Sequence, residues 1–311
     1  MRNLICSRRE VLTRLATLGG CAVVSGPALA PSAASAYGPV LSVQAYIWIQ
    51  RFEAERKSLA DGVEEMLATF QRAGYRHVDL TDGFLHSELR DKTLGLLKKY
   101  GLQMPTFYAN STLHETKMGE YSIKSILALA QTTRSVGVRG IVTNPSPKAN
   151  QGRKTDQELA VQANHLNRLG AELQKLGVRL MVHHHTPELV ENAREWRHQL
   201  ANTDPKLVGC CVDVHWAYRG GQEPMAFLLE VGNRLESVHL RNSKSGVWME
   251  DLNDGDLDYR RVADYLREIN YRGYLVVELA YEKGTTVTRS LEENLRLSRI
   301  YTERVFGLHA A

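Results

Sequence analysis

Cysteine is scarce in this sequence of 311 residues, which contains only Cys6, Cys21, Cys210 and Cys211. The first two lie in a leader that we predict to be removed, so two remain in the body of the chain. Those two are adjacent, and neighbouring residues of a strand point to opposite faces. A disulfide between them is not expected, and both are predicted to be buried free thiols.

An excess of charge of one sign is also absent once the first 36 residues are set aside. The chain has 39 basic and 35 acidic residues, of which residues 1–36 hold four arginines and one glutamate. The remaining 35 basic and 34 acidic residues leave a net charge near +1. This near-neutral body gives no electrostatic reason to expect a nucleic-acid partner. No stretch after residue 36 is long and apolar enough to predict a membrane span.

The first 36 residues have the order of parts that is typical of an export signal. Arg8 and Arg9 precede apolar residues and resemble the twin-arginine signal, and a Gly/Ala-rich stretch follows. Residues 34–36, Ala-Ser-Ala, supply the small-x-small pattern of a cleavage site. We therefore predict a signal peptide over residues 1–36, transient contact with the twin-arginine export machinery, and a periplasmic or secreted mature protein. A cytosolic tail and a lipoprotein anchored at Cys21 are the alternatives.

Short apolar runs alternate with longer amphipathic ones from residue 39 onward, and glycines such as Gly74 and Gly177 close the helices before the next strand. Eight such β-then-α units predict a (β/α)8 TIM barrel, one domain over residues 37–311. A doubly wound sheet is the alternative, but no glycine-rich loop follows the first strand. The predicted strands are residues 41–48, 77–80, 103–108, 140–143, 178–183, 207–213, 237–241 and 274–279. The predicted helices are residues 58–73, 123–136, 156–176, 187–200, 259–269 and 286–305.

Four successive predicted strands end in, or carry, an imidazole or a carboxylate. These are His183, Asp213, His239 and Glu278 on strands five to eight. The carboxyl ends of barrel strands meet at one rim, and mixed imidazole and carboxylate ligands suit Mn²⁺, Co²⁺, Zn²⁺ or Fe²⁺. We therefore predict a site for one divalent ion. Taken singly, such a histidine is more often a hydrogen-bonded surface or core residue, and such a carboxylate a helix cap.

At these residues the chain resembles the xylose isomerase-like barrel superfamily, which contains the sugar phosphate isomerases and epimerases. The resemblance covers most of residues 40–305 and includes VQAY at 43–46 and AGYRHVDL at 73–80. In that family, strands five to eight supply Glu, Asp, His and Glu to one metal ion, so position 183 departs from the usual glutamate. The segment MVHHHTPEL at 181–189 is similar to a branch with histidine at that place.

The resemblance implies a metal-dependent sugar isomerase or epimerase that removes a proton next to a carbonyl and forms a stabilised enediolate. Its substrate would be a small carbohydrate. Glu278 and His185 are the candidate bases, His185 because an imidazole ordinarily titrates near neutrality. His183 puts an epimerisation that needs two glutamates in doubt, so a lyase that acts on 3-keto-glycosides by β-elimination is the alternative. A sugar-binding barrel without catalysis is a third possibility.

Further residues are predicted to contact the substrate. Trp216 would stack on a sugar face, and Arg241 and Lys244 would hold substrate oxygens, unless they are solvated loop charges. Glu188 matches an acidic residue of the family in position, but it could instead favour the helix dipole. Residues near other strand ends are predicted to line the pocket: Trp48, Asn110, His114 and Asn144.

Two other barrel enzymes fit the residues less well. A glycoside hydrolase needs two carboxylates that flank the scissile bond, commonly at the ends of strands four and seven. Here these strands offer Thr143-Asn144-Pro145 and His239. The endonuclease branch of the same superfamily needs a basic groove, which the near-neutral body argues against.

Replacing both Arg8 and Arg9 by lysine is expected to block export, because the twin-arginine machinery reads the arginine pair. An unprocessed precursor should then accumulate in the cytoplasm, whereas the unaltered protein should begin at Tyr37. Cell fractionation and mass spectrometry of the amino terminus measure both. Normal export of the double variant would contradict the twin-arginine prediction, and a lipid on Cys21 would favour the lipoprotein.

Overall fold

The computed structural model describes residues 37–149 and 152–308 of the chain. The predicted export signal, residues 1–36, lies outside the described residues. Among the helices described, none is long and apolar enough to cross a membrane.

Eight parallel strands close into a barrel, which confirms the predicted TIM barrel and excludes an open doubly wound sheet. The first strand pairs with both the second and the last, so the ring is complete. The barrel strands are β1 (Val40–Gln44), β2 (His77–Thr81), β3 (Gln103–Ser111), β4 (Gly140–Pro145), β5 (Arg179–Val182), β6 (Val208–Asp213), β7 (Leu235–Leu240) and β10 (Tyr274–Val277). A small antiparallel hairpin, β8 (Ser243–Lys244) and β9 (Val247–Trp248), stands between β7 and the last barrel strand.

Helices surround the barrel, and most of them begin with a polar side chain that accepts a backbone hydrogen bond. Thr155 caps its helix in this way and forms a capping box with Glu158. The helices are α1 (Tyr46–Glu55), α2 (Leu59–Arg72), α3 (Ser87–Lys99), α4 (Thr116–Thr133), α5 (Asp156–Lys175), α6 (Thr186–Asn202), α7 (Val214–Arg219), α8 (Pro224–Val231), α9 (Tyr259–Glu268) and α10 (Leu291–Phe306).

Glycine closes the helices before the next strand as predicted. Gly74 and Gly177, with φ of 88° and 71°, adopt the left-handed conformation that ends a helix.

The start of the barrel differs from its prediction. The strand predicted over residues 41–48 ends at Gln44, and α1 begins at Tyr46. The aromatic and β-branched residues of this segment favour a strand locally, but Trp48 is buried between the barrel and α2 instead. Its ring centroid lies 5.5 Å from that of Phe52 and 6.4 Å from that of Phe70. Trp48 is therefore a core residue, and its predicted place in the pocket is wrong.

Two apolar layers hold the barrel together. The larger lies between strands and helices, and the smaller lies inside the barrel, where Tyr108, Val142, Met181 and Cys211 pack together. The alternation of a strand separates the two cysteines, since Cys210 belongs to the outer layer and Cys211 to the inner one. Both are buried and free, as predicted.

Helix α6 is interrupted just after its first turn. Glu191, Asn192 and Ala193 have φ of 54°, 57° and 55°, in the left-handed region that residues with a Cβ rarely occupy. The sequence predicts an unbroken helix here. The break separates the first turn, which continues directly from the end of β5, from the rest of α6.

A pair of helix glycines tests how closely the helices pack on the barrel. A Cβ on Gly170 of α5 would lie 2.6 Å from the backbone oxygen of Leu207. Gly170→Ala is therefore expected to destabilise the protein by about 1–3 kcal/mol, because the backbone at Leu207 cannot move away from the new Cβ without disturbing the packing. Urea denaturation of the mature protein gives the change in the free energy of unfolding.

Gly95 of α3 is the matched control, because it is exposed and a Cβ there would meet no atom of the described residues within 4 Å. Gly95→Ala is expected to stabilise by up to about 1 kcal/mol through helix propensity. Equal effects of the two substitutions would contradict the packing described for α5.

Candidate active site

The four side chains predicted to bind a metal ion converge at the carboxyl-terminal mouth of the barrel. His183 directly follows β5, Asp213 ends β6, His239 lies in β7, and Glu278 directly follows β10. Each offers one ligand atom, and these four atoms all lie within 4.8 Å of one another. The first three side chains are fully buried, and Glu278 is 7% exposed. Parallel strands in register therefore bring together residues that are almost a hundred positions apart in the chain.

The ladder hydrogen bonds of the barrel fix two of these residues. The backbone N–H of His183 donates to the carbonyl of Thr143 at 2.8 Å, and that of Glu278 donates to the carbonyl of Leu240 at 3.0 Å. Hydrogen bonds to neighbouring strands therefore fix the backbone positions of both residues. Such a site on strand ends is more rigid than one on loops.

The unpaired nitrogens of the cluster fit a cation. Within residues 37–149 and 152–308, neither ring nitrogen of His183 nor Nε2 of His239 has a hydrogen-bond partner, although all three are buried. Nδ1 of His239 lies 2.6 Å from Oε2 of Glu278. Buried polar atoms without partners are rare in native proteins. A divalent ion coordinated by these nitrogens and by the neighbouring carboxylates would satisfy them.

Arg241 sets the electrostatics of the cluster. Its Nη2 donates to Oδ2 of Asp213 at 2.8 Å and lies 2.9 Å from Oε1 of Glu278. Burial raises the pKa of the Glu278 carboxyl, but Arg241 and the contact with His239 outweigh burial and lower it to about 2. Glu278 is therefore a carboxylate at neutral pH, which both a metal ligand and a general base require.

A cavity of about 570 Å³ opens beside the cluster, within the size range of small-molecule sites. Glu278 and Arg241 line it, so the cluster faces the space where a ligand would lie. Asn110, Asn144 and Glu188 add polar groups from other strand ends. Four aromatic residues complete the walls: Tyr46, Tyr108, Trp216 and Trp248. Polar groups that converge among aromatic rings are the usual means of holding a sugar.

The two tryptophans are held in place by Arg241. The guanidinium carbon lies 5.3 Å from the ring centroid of Trp216 and 5.0 Å from that of Trp248. The rings themselves meet edge to face at 5.4 Å. This arrangement combines cation–π attraction with a favourable aromatic geometry.

His185 and Glu188 both line the cavity, next to the end of β5. The His185 ring lies 4.7 Å from that of His183 and 5.4 Å from that of Trp216. Burial lowers the pKa of His185 to about 4, because its surroundings disfavour the imidazolium. The imidazole is therefore neutral at pH 7 but weakly basic, which differs from the expectation that it titrates near neutrality.

Two predicted pocket residues lie elsewhere. Lys244 is exposed in β8 and lines a different cavity, together with residues such as Met249 and Arg289. His114 is buried with its Nε2 3.4 Å from Glu115, outside the lining of the cavity. Asn110 and Asn144 do line it, as predicted.

Several residues of the site are not among those predicted from the sequence. Tyr108 lines the cavity and ends the third predicted strand. The search of strand ends that selected Asn110 could therefore also have selected Tyr108. Trp248 also lines the cavity, but it lies on the hairpin after β7. A search of the ends of the barrel strands does not find it. Cys211 lies below the rim, and its sulfur comes within 4.8 Å of ligand atoms of both His183 and His239.

Asp79 is a further buried acid inside the barrel. It accepts a hydrogen bond from Oγ1 of Thr106 at 2.5 Å, and its Oδ1 has no partner in the described part of the chain. Burial raises the pKa of Asp79 to about 6.

Comparison with known proteins agrees with this architecture. Residues 53–301 match the family described as xylose isomerase-like TIM barrel. An inosose dehydratase of Geobacillus kaustophilus is 24% identical over 246 residues, which are 69% of this chain and 79% of that protein.

Two solved structures share the fold. The structure of an L-ribulose 3-epimerase has a TM-score of 0.70 at 14% identity and covers 86% of this chain and 95% of its own. A 3-keto-D-glucoside 4-epimerase from E. coli has a TM-score of 0.63 at 15% identity and covers 86% of this chain and 99% of its own.

The adjacent residues His183 and His184 offer a matched test of the cluster, because His183 belongs to the ligand set and His184 does not. His184 lies between Trp196 and Phe227, at 4.7 and 5.0 Å, in the outer apolar layer. His183→Ala and Glu278→Gln are expected to lose bound metal, since three ligands hold an ion less tightly than four. His184→Phe is expected to keep both the metal and the fold.

Metal analysis of the purified mature variants by mass spectrometry, with circular dichroism as the check on folding, measures these outcomes. The unaltered protein is expected to hold about one divalent ion per chain. Full occupancy in both His183→Ala and Glu278→Gln would contradict the site, as would loss of the ion in His184→Phe alone.

Proposed function

The chain belongs to the xylose isomerase-like TIM-barrel family, and from this premise we propose that it is a metal-dependent sugar isomerase or epimerase. The observation that carries the proposal is the cluster of His183, Asp213, His239 and Glu278 beside a cavity that Glu278 itself lines. A carboxylate that belongs to both the ligand set and the cavity can act on a bound substrate. The substrate proposed is a small carbohydrate with a carbonyl next to a hydroxyl-bearing carbon.

A divalent ion bound by these four residues would act as a Lewis acid on the carbonyl and hydroxyl oxygens of the sugar. Glu278 would take the proton from the hydroxyl-bearing carbon next to the carbonyl. Its low pKa keeps it ready as a carboxylate at neutral pH. His185 is the weaker candidate base, because its own pKa lies near 4. Its imidazole is better suited to a hydrogen bond with a substrate oxygen.

The remaining predicted substrate contacts divide by position. Arg241 lines the cavity and donates to Asp213 and Glu278, so it can hold a substrate oxygen and neutralise charge that develops there. Trp216 offers an aromatic face, which suits the C–H side of a sugar ring. Lys244 is not needed for either role, since it lies at another cavity.

A second reaction, β-elimination, is favoured by a specific feature. His183 stands where the family ordinarily has a glutamate, so the metal cluster has a single glutamate, Glu278. Several similar proteins are inosose dehydratases, and a dehydratase expels water by elimination. The same proton abstraction would start either reaction, and the two reactions differ only in the fate of the enediolate. A lyase that acts on 3-keto-glycosides is therefore the alternative, and a sugar-binding barrel without chemistry is what remains if neither reaction occurs.

We further propose that the protein acts outside the cytoplasm, after export by the twin-arginine machinery. This proposal rests on the residues of the leader, Arg8 and Arg9 above all. That machinery transports folded proteins, which suits an enzyme whose metal would be inserted before export.

Incubation of the metal-loaded mature protein in D₂O with D-fructose and, separately, with methyl 3-keto-glucoside tests the reaction. Deuterium in an intact sugar is the expected result and supports isomerase or epimerase. Release of methanol with formation of an unsaturated keto-sugar would instead support the lyase. Glu278→Gln should slow either signal by at least about 100-fold, because it removes both a metal ligand and the base.

The control is His184→Phe, which should keep the activity of the unaltered protein. Neither exchange nor elimination with any keto-sugar, in a protein that holds its metal, would contradict both reactions and favour sugar binding alone.

A further inference from the structure

We propose that Glu188 is a second proton carrier of the active site, which acts on the opposite side of the bound sugar from Glu278. The inference rests on the proposed function and adds to it the group that completes the reaction after Glu278 has removed the first proton. It assigns to Glu188 a catalytic role rather than only a substrate contact.

The position of Glu188 brings it to the cavity from a different wall. It lies in the first turn of α6, immediately after β5, whereas Glu278 follows β10. In the barrel, β5 and β10 are separated by β6 and β7. Three steps around a ring of eight strands bring the two acids to the cavity from different walls. Both line the same cavity.

One carboxylate oxygen of Glu188 caps helix α6, and the other has no hydrogen-bond partner among the described residues. Oε2 accepts a hydrogen bond from the backbone N–H of His185 at 2.7 Å, as the glutamate of a capping box does. Oε1 is buried and has no partner among the residues that the structure describes. A helix cap alone needs neither complete burial nor a position in the lining of a cavity. The free oxygen is therefore the atom available to a substrate.

The surroundings of Glu188 keep it able to carry a proton. The residue is fully buried, and an isolated carboxylate is costly to bury. Burial, with a smaller effect of the nearby Glu195, raises its pKa to about 7, against the lowering effects of the hydrogen bond from the His185 N–H and of Lys154. Lys154 donates to Glu195 at 2.7 Å and to Gln162 at 2.9 Å, so its charge is already matched. A group poised near the working pH is an effective general acid.

Glu278 and Glu188 together account for both proton transfers of the reaction. The Glu278 carboxylate takes the proton from the substrate carbon, and the C–H electron pair becomes the double bond of the enediolate. The Glu188 carboxylic acid then gives its proton from the other side. If carbon receives the proton, the sugar is epimerised. If the departing β-oxygen receives it, the C–O bond breaks with its electron pair on oxygen, and water, or methanol from the methyl glycoside, leaves. Exchange with solvent afterwards returns a proton to Glu188 and removes one from Glu278.

Glu188→Gln separates this role from capping, because the glutamine oxygen can still accept from the N–H of His185. The variant is expected to fold and to bind metal as the unaltered protein does. In D₂O, with D-fructose and with methyl 3-keto-glucoside as probes, exchange at the substrate carbon should persist within about threefold. Product formation should fall by about 100-fold or more. Glu191→Gln, three residues further on at the surface, is the control and should change neither rate.

A second measurement does not depend on turnover. The infrared difference spectrum between the unaltered protein and Glu188→Gln should show one protonated carboxyl group that titrates near pH 7. Full product formation by Glu188→Gln would overturn the proposal, and so would loss of exchange together with turnover, or a carboxyl group ionised well below neutrality. If the unaltered protein itself shows neither exchange nor product, the proposed function fails, and this inference fails with it.

Discussion

The structure of the active site depends on one constraint, which is that charged and polar groups buried at the mouth of the barrel must find partners. Asp213 and Glu278 are almost completely buried, and Arg241 contacts both. A buried carboxylate without such a partner would be neutralised by a proton, and it would then serve neither as a ligand nor as a base. Arg241 therefore opposes the effect of burial on the pKa of both carboxyl groups, and at Glu278 it outweighs burial and keeps the group ionised.

The same constraint separates the residues of the site into those with partners and those without. The nitrogens of His183 and Nε2 of His239 have no partner among the described residues, and they point to a cation. Oε1 of Glu188 has none either, but its carboxyl stands at another wall of the cavity, where it can carry a proton instead. Two chemical roles thus follow from the same kind of observation, and position in the barrel distinguishes them.

Much of this could be predicted from the sequence, because the barrel obeys simple periodicities. The alternation of strands and helices predicts eight units, and the carboxyl ends of strands meet by topology, so His183, Asp213, His239 and Glu278 could be grouped without coordinates. The two-residue repeat of a strand likewise separates Cys210 from Cys211. These inferences need only local pattern and the rule that parallel strands share a rim.

Other features depend on tertiary contacts that no local pattern contains. Trp48 lies in a segment whose side chains favour a strand, and only the packing of Phe52 and Phe70 explains why it is helical. Trp248 reaches the cavity from a hairpin rather than from a strand end. The pKa of His185 depends on its burial, which the sequence of three histidines does not reveal.

The most direct measurement of the central claim is anomalous diffraction from a crystal of the mature protein soaked with Zn²⁺. One strong peak is expected between the four side chains, within about 2.0–2.2 Å of a nitrogen of His183 and of His239 and of an oxygen of Asp213 and of Glu278. A peak held by other residues, or four well-ordered side chains with no ion between them, would contradict a metal-dependent active site.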